Sequence, residues 1–248
     1  MSGTPRIMAH MVAFNPNREG SLEAGRGLLE GGCSCLEVQF PFSDPTADGP
    51  DIQQACRTAM ASGFTITEGF GLVSVLRSFA AVPIFLMSYA NLLFTRGVGK
   101  FLGECRDCGA RGVIVPDLPP DYDEGLFLEG ERAGLAVVPV VSPAMREERL
   151  VRIASMDPEF IYATLRSGTT GSLTRIDATS LDFIRATHSI FAAGRAKVLA
   201  GFGISAREQV EALAPHVHAV VVGSAFVREI ARGGDLRAAM RRKMRELI

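Results

Sequence analysis

The sequence predicts an α/β fold, a single (β/α)8 barrel of the TIM type that takes residues 1–248 as one domain. Three observations predict it. Short apolar runs recur along the chain, helix-like stretches separate them, and about 250 residues is an ordinary length for one such barrel. The runs are continuous rather than alternating, which suits parallel strands buried on both faces.

The runs come in order as IMAHMVAF (7–14), CLEVQF (35–40), VPIFLMSY (82–89), GVIVPD (112–117), AVVPVVS (136–142), FIYATL (160–165), KVLAGF (197–202) and AVVVGS (219–224). SLEAGRGLLEGG (21–32) reads as the first helix, with Ser21 as its N-cap and a glycine pair as its stop. DIQQACRTAMASG (51–63) reads as a helix capped by Asp51 and ended by Gly63. Residues 146–156 and 206–217 place apolar side chains at helical spacing. The last stretch reads as a helix, a break at Gly233-Gly234 and a second, basic helix. Such alternation closes into a barrel. An open doubly wound sheet is the alternative, but it favours a glycine-rich turn after the first strand, where this chain has Asn15-Pro16. The first strand starts near residue 7, so either something other than an N-terminal segment covers the barrel bottom or the bottom is partly open.

Composition narrows the function. The chain is 47% hydrophobic and 21% charged, with a net charge of −1. That balance points to neither a nucleic-acid nor a membrane partner. No apolar run approaches the roughly 18 residues of a spanning helix, and no signal peptide is present, so the expectation is a soluble, cytoplasmic protein. Five cysteines, including a lone Cys105-Arg-Asp-Cys108, read as reduced thiols rather than as a disulfide framework or a zinc site. His188, His216 and His218 fall late in the chain, and His10 lies in the first strand; they form no catalytic set and no metal site is expected.

Barrel active sites lie at the C-terminal ends of the strands. There the second strand carries Glu37, on one face with Cys35 and Gln39, while Leu36, Val38 and Phe40 take the other. Burial favours the neutral, proton-carrying form of a carboxyl group, which suits acid/base work near neutral pH. The residue fits equally a structural glutamate held by its neighbours. The loop after it, PFSDPTADGPDIQ (41–53), holds three aspartates. Asp44 suits a turn cap, whereas Asp48 has no evident duty beyond the turn. Gly201, Phe202, Gly203 and Gly223, Ser224 end the seventh and eighth strands just before helices. Backbone N–H groups there can face a phosphate. The loop at 166–172, with two glycines and four hydroxyls, suits a lid or a third phosphate-facing loop.

These features together resemble one family. LEVQFPFSDPTADGPDIQ (36–53) looks like the signature of the tryptophan synthase alpha subunit, and the likeness continues in MSYANLLF, VPDLP, YATLRSGTTG, GFGIS and VVGSA. The resemblance implies retro-aldol cleavage of indole-3-glycerol phosphate to indole and glyceraldehyde 3-phosphate, without a cofactor of its own. It makes Glu37 the general acid/base and Asp48 the carboxylate that holds the indole N–H. It places Tyr162 beside the glutamate and the phosphate at Gly171, Phe202, Gly203, Gly223 and Ser224. Phe42, Tyr89 and Leu86 would line the indole pocket. It further implies a beta-subunit partner that carries pyridoxal phosphate, in an αββα complex, met through segments around Pro41, Asp44, Tyr89, Asn91, Asp117 and the 166–176 loop.

The chain departs from the pattern where Gln39 replaces a glycine, where the first strand ends in HMVAFNPN, and where the leader is short. A Gln39 side chain in the pocket would crowd the substrate, which motivates a second reading, a regulatory subunit that activates a beta partner without turnover; a stand-alone indole-releasing lyase on the same scaffold is a further alternative.

Overall fold

The computed structural model describes residues 4–165, 176–201 and 203–248. The apolar runs become parallel strands: β1 (Ile7–Val12), β2 (Cys35–Gln39), β3 (Ile84–Met87), β4 (Gly112–Ile114), β5 (Ala136–Val138), β6 (Val140–Val141), β7 (Phe160–Thr164), β8 (Lys197–Gly201) and β9 (Ala219–Val222). Their order is β5-β4-β3-β2-β1-β9-β8-β7-β6. The two ends of that order, β5 and β6, are separated in sequence by Pro139 alone. The run AVVPVVS is therefore one barrel strand split by a residue with no N–H to give. The Pro139 carbonyl still accepts the Tyr162 N–H at 2.9 Å, which carries the join from β5 across to β7. Counted this way the ring has the eight strands expected, and the chain is a TIM barrel rather than an open sheet.

Alternation along each strand sorts side chains into two cores. Met8, Cys35, Phe85, Met87, Ile114, Val138, Phe160, Leu199 and Val221 fill the barrel interior. Ala9, Met11, Leu36, Val38, Leu86, Val113 and Ile161 point outward into the layer covered by the helices. The bottom of the barrel is closed by side chains. Phe85 and Phe160 meet edge to face at 5.0 Å between ring centroids. Lys197 and Arg111 lie over the Phe160 ring at 5.0 Å and 5.6 Å. Both cations also pair with Glu159. Of the two expectations for the bottom, the covered one holds.

The helices differ from expectation at their starts. The first spans Arg18–Gly31, and its N-cap is Asn17, whose side chain accepts the Gly20 N–H at 2.8 Å. Ser21 is instead buried inside that helix, where its hydroxyl accepts the N–H of Phe14 at 3.0 Å. Phe14 needs that support because its φ of 65° is a left-handed conformation uncommon outside glycine. Helix Pro50–Ala61 starts from Gly49 with proline at its first position. Asp51 caps nothing; its carboxylate pairs with Arg228 at 2.7 Å and ties this helix to helix Ser224–Ala231. The later helices stand near their expected places, as Glu147–Ala154, Arg207–Leu213 and, after the Gly233-Gly234 break, Leu236–Leu247. Five more, Ile66–Phe79, Ala90–Arg96, Val98–Asp107, Leu126–Ala133 and Ala178–Phe191, complete the outer layer. No single helix among the described residues is long and apolar enough to cross a membrane.

Helices Arg18–Gly31 and Leu236–Leu247 touch backbone to backbone. A Cβ at Gly27 would stand 2.3 Å from the Arg237 carbonyl oxygen, and one at Gly31 would stand 2.5 Å from the Met244 Cβ. Gly27→Ala is therefore expected to lower the unfolding free energy by about 1–3 kcal/mol. Gly71→Ala, at an exposed helical site with open space around it, should raise it by up to about 1 kcal/mol. Denaturant unfolding of the two variants checks the pair, and equal effects would contradict the close helix contact.

Candidate active site

The strands deliver polar side chains to one end of the barrel, in a cavity of about 300 Å³. Met87, Ile114, Val140 and Val221 form an apolar wall. Facing them are His10 from β1, Glu37 from β2, Tyr162 and Thr164 from β7, and Asp48 from the loop after β2. Gly203, Gly223 and Ser224, from the loops after β8 and β9, line the same space. Six of the eight expected site residues thus converge: Glu37, Asp48, Tyr162, Gly203, Gly223 and Ser224. Gly171 and Phe202 lie outside the described residues.

Asp48 is 4% exposed and is held on every side. Its backbone N–H donates to the Pro45 carbonyl at 3.0 Å, and its carbonyl accepts from Gln53 Nε2 at 2.8 Å. The Gln39 amide donates to its Oδ2 at 2.7 Å, and the Tyr89 hydroxyl donates to the same oxygen at 2.8 Å. Tyr89 is fixed in turn by the Ala47 N–H at 3.2 Å and by Phe42 stacked on its ring. Burial pushes the Asp48 carboxyl above its usual value, against the pull of His10, Gln39 and Tyr89. One carboxylate oxygen is thus taken by two protein donors and the other is left to the cavity.

Glu37 is 3% exposed, and its closest ionisable neighbour is His10, whose Nδ1 lies 3.3 Å from Oε2. Parallel pairing of β1 with β2 sets His10 directly opposite Glu37 on the same inward face. Burial alone would lower the His10 imidazole, but Glu37 and, more weakly, Asp48 raise it, and the balance lies above its ordinary 6.5.

Two expectations need correction. Gln39 shares the inward face with Glu37 yet does not enter the cavity. It sits fully buried behind Asp48, with its amide also 3.4 Å from the Cys56 sulfur. It supports the site instead of crowding it, so the steric ground for a subunit without turnover falls away. Leu86 belongs to the outer layer, because alternation turns Phe85 and Met87 inward. The apolar wall itself, Met87, Ile114, Val140 and Val221, escaped the sequence reading, although period-two counting from Glu37 and its paired strands would have found it.

The five cysteines are free and buried. Burial pushes the Cys33 and Cys56 thiols up to about 12 and those of Cys35 and Cys108 up to about 11. Among the described residues no group of three or more His, Cys, Asp or Glu is placed to hold a metal ion.

The chain is thus a TIM barrel with two buried carboxylates at its C-terminal mouth and glycine loops after β8 and β9. Comparison with known proteins narrows that class. The family model described as "Tryptophan synthase alpha chain" matches residues 2–247. The tryptophan synthase alpha chain of Helicobacter hepaticus is 38% identical over 92% of this chain and 86% of its own length. That of Thermococcus kodakarensis is 36% identical over 97% and 95%. Among solved structures, the tryptophan synthase complex of Pyrococcus furiosus superposes with a TM-score of 0.87 at 32% identity, covering 98% of this chain and 97% of that one. Mycobacterium tuberculosis tryptophan synthase gives 0.88 at 27% identity, covering 98% and 91%. The chain belongs to the tryptophan synthase alpha chain family, and so to tryptophan biosynthesis.

The Asp48 geometry makes a prediction about pH. Because its native value is raised above the ordinary 3.8, the stability this group contributes is full below pH 3.8 and is lost as pH climbs through the raised value. Asp48→Asn removes that loss while its amide oxygen can still accept from Gln39 and Tyr89. Denaturant titrations should show the variant gaining on the natural protein as pH rises from about 4 to about 7. A difference that stays flat over that range would contradict the desolvation of Asp48.

Proposed function

We propose that the chain cleaves indole-3-glycerol phosphate to indole and glyceraldehyde 3-phosphate. The observation that carries this reading is that Glu37 and Asp48 line one apolar-walled cavity together with Gly203, Gly223 and Ser224. In the retro-aldol step the bond between indole C3 and the carbinol carbon breaks. Glu37 first gives a proton to C3, and then takes the proton of the glycerol hydroxyl as the carbonyl forms. Asp48 faces the indole N–H and stabilises the positive charge that develops on the ring nitrogen. Burial raises its carboxyl, and the two donors on its Oδ2 offset part of that rise toward the ionised form that this duty needs. The two carboxyl groups therefore divide proton transfer from charge stabilisation.

Tyr162 packs beside Glu37 at the cavity wall. Backbone N–H groups at Gly203, Gly223 and Ser224 meet the phosphate, with Gly171 and Phe202 as its further contacts. No step in this reaction requires a cofactor. Family membership and the solved complexes support a beta-subunit partner, and pyridoxal phosphate belongs to that partner. We place the chain in the cytoplasm, as a biosynthetic subunit.

Indole release from indole-3-glycerol phosphate by the purified chain, with and without a beta subunit, tests the reading. Glu37→Gln is expected to lower turnover by about 10²–10⁴-fold while substrate affinity stays near that of the natural protein. Near-normal turnover in that variant would overturn the assignment. Gly203→Asp should weaken binding of the substrate and of inorganic phosphate alike, by charge repulsion and crowding. Unchanged affinity for both would remove that loop from the site.

A further inference from the structure

The cavity brings together two carboxylates, and no lysine or arginine lines it among the described residues. Among the described residues, the one side chain on its wall able to carry positive charge is His10. His10 and Glu37 are about as buried as each other, with side chains 6% and 4% exposed, and their facing atoms are 3.3 Å apart. The contact follows from strand register, since the two residues are paired neighbours on the inward face of β1 and β2. The other ring nitrogen, Nε2, is buried without a hydrogen-bond partner, and so is Glu37 Oε2, so the two side chains meet at ion-pair distance and not in a formed hydrogen bond. Its ring packs against Gly223, where a Cβ would come within 3.3 Å of Cδ2.

A carboxyl group that first gives a proton and later takes one back must start each cycle loaded. We propose that His10 stores the proton that Glu37 delivers. The inference rests on the role given to Glu37 above. As substrate enters, the imidazolium Nδ1–H bond breaks and the proton passes to Glu37 Oε2. Glu37 forms the new C–H bond at the indole ring with it. The hydroxyl proton of the substrate then returns to Glu37, and from there to His10. The proton count over the cycle is zero, and no other reactant is needed. His10 acts through Glu37 and not on the substrate.

The surroundings support this storage. Glu37 faces His10 from β2, Asp48 from the following loop and Tyr162 from β7, while the β9 side offers only Gly223. Among the described residues every titratable neighbour is thus anionic or neutral, which favours a positive ring. The imidazole accordingly sits above 6.5 in spite of its burial.

The test is the pH profile of kcat/KM for indole release by the natural chain, His10→Gln and His10→Phe. Without the stored proton the alkaline limb of the profile should move toward acid by about one pH unit in both variants. An alkaline limb that stays in place in both would overturn the proposal. A second measurement needs no turnover: NMR titration of ¹⁵N-labelled histidine in the full chain. The His10 signal should titrate above 6.5 in the natural protein and fall in Glu37→Gln, where the neighbouring charge is gone. An unchanged His10 titration in that variant would refute the coupling. If Glu37→Gln releases indole normally, the role of Glu37 fails, whereas a fixed alkaline limb with an inactive Glu37→Gln rejects His10 alone.

Discussion

A sheet of parallel strands has no edge only if it closes on itself, and closure sets where every inward side chain falls. Here the ring is joined at Pro139, which interrupts the fifth run yet keeps its carbonyl in the ladder to β7. Once the ring is shut, period-two alternation leaves no freedom. Met8 and His10 must point inward, Ala9 and Met11 outward. Glu37 must face His10 because β1 and β2 are paired in that register. The site is thus a consequence of strand pairing, with the apolar layers beneath it, down to Phe85 and Phe160, serving as its floor.

Carboxylates so deep in a barrel are costly, and the structure meets the cost differently for the two. Asp48 receives a glutamine amide, a tyrosine hydroxyl and backbone contacts from its own loop. Glu37 meets a histidine instead of fixed donors. Fixed donors suit a charge that must stay in place, and a titratable neighbour suits one that must come and go. Gln39 belongs to the first arrangement. The Gln39 side chain is accommodated because it turns away from the cavity and toward Asp48 and Cys56.

The strand pattern was legible because buried parallel strands leave unbroken apolar runs, and all eight runs became barrel strands. That Glu37, Asp48, Tyr162, Gly203, Gly223 and Ser224 meet at one cavity was legible because motif and strand ends agreed. What escaped the sequence was mostly a matter of which partner a polar group finds. Ser21 and Asp51 have the chemistry of helix caps, yet Asn17 stands one turn earlier and Pro50 already starts the second helix. Ser21 then serves Phe14, and Asp51 serves Arg228. Leu86 was misplaced because a continuous apolar run hides which residues face inward until a neighbour such as Glu37 fixes the phase. Helices Ile66–Phe79 and Leu126–Ala133 carry cap signals in sequence: Thr65 accepts the Glu68 N–H, and Asp123 accepts the Phe127 N–H ahead of a helix that stops at Gly134.

The glycine contact between helices Arg18–Gly31 and Leu236–Leu247 joins the first helix of the chain to the last. The strands beneath them make the same junction, since β1 pairs with β9. During synthesis β1 therefore waits for its second neighbour through more than two hundred intervening residues. Until then one of its edges is unpaired and able to template contact with another chain. The pairing of β1 with β9 removes that exposure, and the crowded helix seam is the latch that holds the closed ring.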